Sequence, residues 1–119
     1  MSGNNVVLDT NIVLYILGNK YDPSNLPSGI YSISFVTEIE LLSYPLLEKY
    51  EERKIKDFLS HIDIIDISEE IKTKTIYFRK KYKLKIPDAL ICATAYCEKA
   101  LLISKDKELK KVLEITVNS

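Results

Sequence analysis

Histidine and tryptophan are almost missing from this chain: it has one histidine, His61, and no tryptophan. One histidine argues against Ser/His/Asp and Cys/His nucleophilic catalysis. With only Cys92 and Cys97 beside it, the same count argues against a zinc centre. Two cysteines make no disulfide framework. On a helix, five positions apart, they point about 140° away from each other. They read as free thiols of a reducing, cytoplasmic compartment. Only 3 Gly and 4 Pro occur, so the chain is neither collagen-like nor a flexible low-complexity polymer. Its apolar runs fall well short of the ~20 residues of a membrane span. Met1-Ser2-Gly3-Asn4-Asn5 has neither the basic region nor the apolar core of a signal peptide. Net charge is missing too: 17 Lys+Arg balance 17 Asp+Glu. Nucleic-acid binding is not advertised by the total, although charge can be uneven locally. What remains for chemistry is carboxylates, lysines, hydroxyls or a hard metal.

What is present is the material of one folded unit. The chain has 119 residues, 46% of them hydrophobic, the size of one domain over 1–119. Strand-like and helix-like runs alternate, which predicts an α/β fold with a mainly parallel sheet of four or five strands flanked by helices. Strands are expected at Asn5 to Leu8, Ile30 to Ser34, His61 to Ile67, Leu101 to Ile103 and Leu113 to Val117. Helices are expected over Ile12 to Leu17, Thr37 to Leu42, Pro45 to Leu59, Ser68 to Tyr82, and from Pro87 through Cys97, with a short one at Asp106 to Lys111. Gly18 marks a helix end, Ser68 an N-cap and Pro87 a helix first turn. Residues 19–29 read as a loop.

In an open parallel sheet, ligands bind beyond the carboxyl ends of the strands. The polar residues expected there are mostly acids from separated parts of the chain. Asp9 ends the first strand, Glu38 and Glu40 lie on the helix after the second, Asp88 opens the helix at Pro87, and Asp106 follows the fourth strand. Each has an ordinary reading: Asp9 and Asp106 as helix caps, Asp88 as the answer to a helix dipole, Glu40 as a surface residue. Together they are costly, since like charges ~4 Å apart at an effective dielectric near 20 repel by on the order of 4 kcal/mol. A fold that gathers them shares a proton or binds a cation. Oxygen-only ligands suit Mg²⁺ or Mn²⁺. Periodicity separates Glu38 from Glu40 weakly: with Ile39 at the centre of the apolar face, Glu40 is favoured as the half-buried acid.

Four blocks occur in order: Val6-Val7-Leu8-Asp9-Thr10-Asn11, Ile33-Ser34-Phe35-Val36-Thr37-Glu38-Ile39-Glu40-Leu41-Leu42, Pro87-Asp88-Ala89-Leu90-Ile91-Cys92-Ala93-Thr94-Ala95 and Leu102-Ile103-Ser104-Lys105-Asp106. With these blocks nearly the whole chain resembles a PIN-domain ribonuclease, most closely the VapC-type toxins of toxin–antitoxin pairs. The resemblance implies a divalent-metal-dependent endoribonuclease with Asp9, Glu40, Asp88 and Asp106 as catalytic acids. Asp9, Asp88 and Asp106 would be the metal ligands, and Glu40 either a ligand through water or a base. Thr10, Asn11 and Ser104 would be supporting polar residues, with Glu108 beside Asp106. Departures from the family pattern are Ser43-Tyr44-Pro45 after the Glu-Leu-Leu block and Lys105-Asp106-Lys107-Glu108-Leu109 in the last block.

Arg79, Lys80, Lys81, Lys83 and Lys85 precede Asp88, and Lys105, Lys107, Lys110 and Lys111 surround Asp106. They are either solvated helix faces or a phosphate-binding rim for RNA. Among the 8 tyrosines, some offer base-stacking platforms. The resemblance further implies a small antitoxin protein across the active-site groove and a homodimer, for which Tyr15, Leu41, Leu42, Tyr44 and Leu46 offer apolar surface. Two other classes compete. One is a non-catalytic PIN-type binding module. The other is a receiver-like signalling domain, which wants an acid pair after the first strand and a phosphoacceptor after the third, where only Asp66 stands.

Overall fold

The computed structural model describes residues 4–119, so Met1, Ser2 and Gly3 of the N-terminal stretch read above lie outside it. Five parallel strands form one sheet in the order β3-β2-β1-β4-β5, with β1 Asn4–Leu8, β2 Gly29–Ser34, β3 Asp63–Ile65, β4 Leu101–Ile103 and β5 Val117–Asn118. The helices are α1 Thr10–Leu17, α2 Phe35–Leu42, α3 Lys49–Leu59, α4 Glu69–Tyr82 and α5 Ile86–Cys97, with short 3-10 turns at Pro23–Asn25 and Leu109–Lys111. This is the expected α/β architecture. A receiver-like domain follows the order 2-1-3-4-5, so the observed order sets that alternative aside. Asp66 is exposed and accepts from the next amide, Ile67 N, at 2.8 Å.

β1 is central because Val6, Val7 and Leu8 suit burial on both faces, at 0%, 0% and 2% exposure. Val7 and Leu102 face one core, with Phe78, Ala89, Ile91 and Cys92 of α4 and α5. Val6, Leu8, Ile33 and Ile103 face the other, with Ile12, Val13 and Ile55 of α1 and α3. Each fully buried aliphatic side chain of this kind contributes ~1.5–3 kcal/mol. Gly29 pairs with Asn4. A Cβ at Gly29 would collide with the Asn4 carbonyl oxygen, so this register needs glycine there.

The helix after β2 differs from its sequence reading. Ser34 caps it by accepting from Val36 N at 3.2 Å, so it begins at Phe35 rather than Thr37. Its buried residues are Val36, Thr37 and Leu41. Ile39, expected at the centre of the apolar face, is 55% exposed and points outward, and Leu42, offered as contact surface, is 40% exposed. α1 likewise starts at Thr10, because Asp9 is its N-cap. Residues 43–48 are not helical: Pro45 interrupts, Leu46 has φ 62°, and Glu48 opens α3 with a capping box to Glu51. β3 is shorter than expected because Ser60 and His61 still close α3, His61 N donating to Phe58 O. β5 lies later than expected. Glu114, held by Tyr77, Lys81 and Tyr82 of α4, keeps the preceding residues off the sheet.

Cys92 and Cys97 are both free, Cys92 buried and Cys97 partly so. Among the described residues, no helix is long and apolar enough to cross a membrane.

Candidate active site

The chain enters the sheet at its centre, builds β2 and β3 to one side, then returns to add β4 and β5 on the other. The strand order therefore reverses between β1 and β4, and in open parallel sheets ligands bind at the carboxyl ends beside such a reversal. Asp9 follows β1 there and Ser104 follows β4. The backbone ties them first: Asp9 N donates to Ile103 O at 3.0 Å.

Asp9 is 6% exposed. Its Oδ1 accepts from Thr10 N at 2.8 Å and its Oδ2 from Ser104 Oγ at 2.7 Å. Ser104 is fully buried, and its Oγ also accepts from Asp106 N at 3.0 Å. One hydroxyl thus joins two of the predicted acids. Asp106 is half-buried, and its Oδ1 accepts from Glu108 N at 2.9 Å. In the last turn of α2, Glu40 Oε1 accepts from Thr10 Oγ1 at 2.6 Å. Thr10 Oγ1 also lies 2.9 Å from Thr37 Oγ1. Asp88, half-buried, stands in the first turn of α5.

These acids share one electrostatic field. Burial pushes the Asp9 carboxyl above its ordinary value; the hydrogen bonds from Ser104 and Thr10 oppose this, and the charges of Asp106 and Glu40 add to it. Burial likewise raises Asp88, with Asp106, Asp9 and Glu40 reinforcing it and Lys85 opposing. Beneath them, burial drives the Cys92 thiol up to about 12, helped by Asp88, Asp9 and Asp106. That thiol is inert as a nucleophile.

Among the described residues, no three Asp, Glu, His or Cys side chains stand close enough together, as placed, to hold one ion. The donor set nevertheless fits a hard divalent cation in its chemistry. It is oxygen only, it is negatively charged beyond what Lys85 offsets, and each Asp9 oxygen keeps a lone pair beyond its one hydrogen bond.

Other predicted residues are placed differently. Asn11 is exposed, on the outer side of α1. Glu108 is exposed, and its carboxylate pairs with Lys111 at 2.9 and 3.0 Å. Arg79 Nε donates to Leu84 O at 3.1 Å, and Lys81 pairs with Glu114 at 2.8 Å, so each has a partner within the fold. Lys80 and Lys83 are exposed, Lys83 as the left-handed C-cap of α4 at φ 57°. Lys105 lies over the Tyr21 ring, 5.5 Å from its centre. Leu41, expected at a contact surface, is fully buried, whereas Tyr15, Leu42, Tyr44 and Leu46 are exposed. Tyr44 is near enough for Glu40 to raise its hydroxyl pKa, after burial. The sequence alone does not single out Thr37 as a candidate site residue. Its signal was a hydroxyl three residues before Glu40, hence on the same side of the helix.

A parallel sheet whose switch point gathers carboxylates from four chain segments defines an acidic-site α/β domain. The chain belongs to the PIN domain family, whose model matches residues 6–114. No curated protein matches it in sequence. Among solved structures it is similar to a toxin–antitoxin complex from Klebsiella pneumoniae, at 28% identity over 93% of this chain and 95% of that one, TM-score 0.79. It shares the fold of VapBC-1 from nontypeable Haemophilus influenzae, at 22% identity over 97% of both chains, TM-score 0.82. The same holds for DNA-bound VapBC from Salmonella typhimurium, at 20% identity over 97% of both chains, TM-score 0.82.

Proposed function

We propose that this chain is a divalent-metal-dependent endoribonuclease, the toxin of a toxin–antitoxin pair acting in the cytoplasm. The observation that carries the reading is the convergence of Asp9, Glu40, Asp88 and Asp106 on one field at the strand-order reversal. Membership of the PIN family and similarity to toxin–antitoxin complexes support it.

An RNA phosphodiester is an anion, and carboxylates alone would repel it. Asp9, Asp88 and Asp106 would hold Mg²⁺ or Mn²⁺. When bound, the metal offsets their charge, polarises the phosphate and lowers the pKa of bound water. Around it the chain's own residues supply order. Ser104 fixes one Asp9 oxygen and Thr10 N the other, so the carboxylate cannot rotate. Thr10 Oγ1 holds one oxygen of Glu40, leaving the second to orient or deprotonate the attacking water. Lys85, whose charge acts on Asp88, and Lys105, between Ser104 and Asp106 in the chain, would supply the phosphate contacts.

The partner reading rests on exposed apolar surface. Tyr15, Leu42, Tyr44 and Leu46, the last 97% exposed, suit a small antitoxin protein or a second copy in a homodimer. The activity is tested by incubating partner-free protein with a mixed pool of structured and single-stranded RNAs in Mg²⁺, Mn²⁺ or EDTA. Fragments that require metal support the reading. A folded, metal-binding sample that leaves every RNA intact contradicts it.

A further inference from the structure

We propose that Thr37 is a positioning residue, whose hydroxyl donates to Thr10 and thereby commits the single Thr10 proton to Glu40. The inference rests on the reading of Glu40 as part of the nuclease site.

The direction of each bond follows from proton counting. A threonine hydroxyl has one proton and two lone pairs, and a carboxylate only accepts. Thr10 Oγ1 lies 2.6 Å from Glu40 Oε1, so the Thr10 proton goes to Glu40. Thr10 Oγ1 also lies 2.9 Å from Thr37 Oγ1. With its proton spent, Thr10 accepts there and Thr37 donates. Thr37 is 0% exposed, so bulk water does not substitute for this partner.

The arrangement is unlike the other buried threonines of this chain. Thr75 and Thr94 satisfy themselves within their own helices, donating to Ile71 O at 2.7 Å and Leu90 O at 2.8 Å. Thr37 instead reaches across 27 residues of chain to the β1–α1 junction. It stands at the start of α2, where the carbonyl four residues back belongs to Ile33 of β2. A buried hydroxyl aimed away from its own backbone, into a chain of bonds that ends on a candidate catalytic carboxylate, fixes that carboxylate's orientation. It also links α2 to the residue beside Asp9.

The test uses the full chain with Thr37→Val, Thr37→Ser, Thr10→Val and the Thr10→Val/Thr37→Val double variant. Valine keeps the shape of threonine and removes the hydroxyl; serine keeps the hydroxyl. Thr37→Val is expected to lower kcat for RNA by about tenfold or more, the scale for residues that orient a metal-site ligand, with KM changed less than about twofold. Thr37→Ser is expected to stay within about threefold of the parent, and the double variant to be no slower than Thr10→Val alone. Parent-like kcat in Thr37→Val, equal loss in Thr37→Ser, or additive losses in the double variant would each overturn the relay. NMR of metal-free, RNA-free protein gives a readout independent of cleavage. Slowly exchanging Thr10 and Thr37 hydroxyl protons are expected in the parent, with the Thr10 signal lost to exchange in Thr37→Val. Should the parent cut no RNA, the nuclease reading fails, and these protons still decide the relay.

Discussion

Ser104 and Asp9 lie 95 residues apart in the chain and are joined by a 2.7 Å hydrogen bond from Ser104 Oγ to Asp9 Oδ2. The same oxygen of Ser104 accepts from Asp106 N. This hydroxyl therefore spans the strand-order reversal and sets the spacing of two acids. Ser104→Ala removes it at a fully buried position, leaving one Asp9 oxygen and one amide short of a partner. The expected stability loss is ~1–3 kcal/mol. Cleavage by the folded variant is expected to fall ~10–100-fold. Urea unfolding and RNA cleavage measure the two effects, and unchanged values in both would remove Ser104 from the site.

The acid cluster costs stability when no cation is bound. Asp9 and Asp88 both have folded-state pKa values above their ordinary ones. Their contribution to stability is therefore fully present below the unfolded value, near 3.8, and is lost as pH rises through the folded values. Asp9→Asn and Asp88→Asn are expected to match or exceed the parent's melting temperature at neutral pH in EDTA, with the largest difference above the folded values. Mg²⁺ or Mn²⁺ is expected to raise the parent's melting temperature, since a ligand of the native state stabilises it. A large destabilisation of either variant in EDTA would show that the acid's bonds to the fold, for Asp9 its N-cap of α1, outweigh the repulsion within the cluster.

Much of this was legible in the sequence for local reasons. Val6-Val7-Leu8 reads as a central strand because both faces are apolar, and Asp9 as its end because capping is a next-residue event, Thr10 N to Asp9 Oδ1. Ser68 caps α4 as expected, accepting from Ile71 N at 3.2 Å. Illegible features depend on distant partners. Thr37 looks like a surface polar residue until Thr10 is folded against it. Ile39 looks like core because an apolar residue set among polar ones has the same period whether it faces the core or water. The ends of β3 and β5 depend on where Ser60-His61 and Glu114 hold the chain. Glu108 stands beside Asp106 as expected, its N donating to Asp106 Oδ1, while Lys111, three residues on, takes its carboxylate.

Glu114 gives a fold prediction with the opposite sign. Burial alone would raise its pKa, but hydrogen bonds from Lys81, Tyr82 and Tyr77 outweigh this and hold it at about 2. Its stabilising effect is therefore present above the unfolded value, 4.5, and is lost as pH falls through about 2. Glu114→Gln is expected to lose about 1–2 kcal/mol at neutral pH, after allowance for solvent screening, and ~4–8 °C in melting temperature. Its RNA cleavage at a permissive temperature should match the parent's. Circular dichroism melts at several pH values check the first expectation, with the difference between variant and parent shrinking in acid.

The most direct measurement is RNA cleavage by the parent, Asp9→Asn and Asp88→Asn, purified free of any bound partner, each in Mg²⁺, Mn²⁺ and EDTA. The expected result is cutting by the parent in metal, none in EDTA, and none above background by either folded variant. Cutting that survives in both variants would place the activity at another site or in a contaminant, and would contradict the assignment of Asp9 and Asp88.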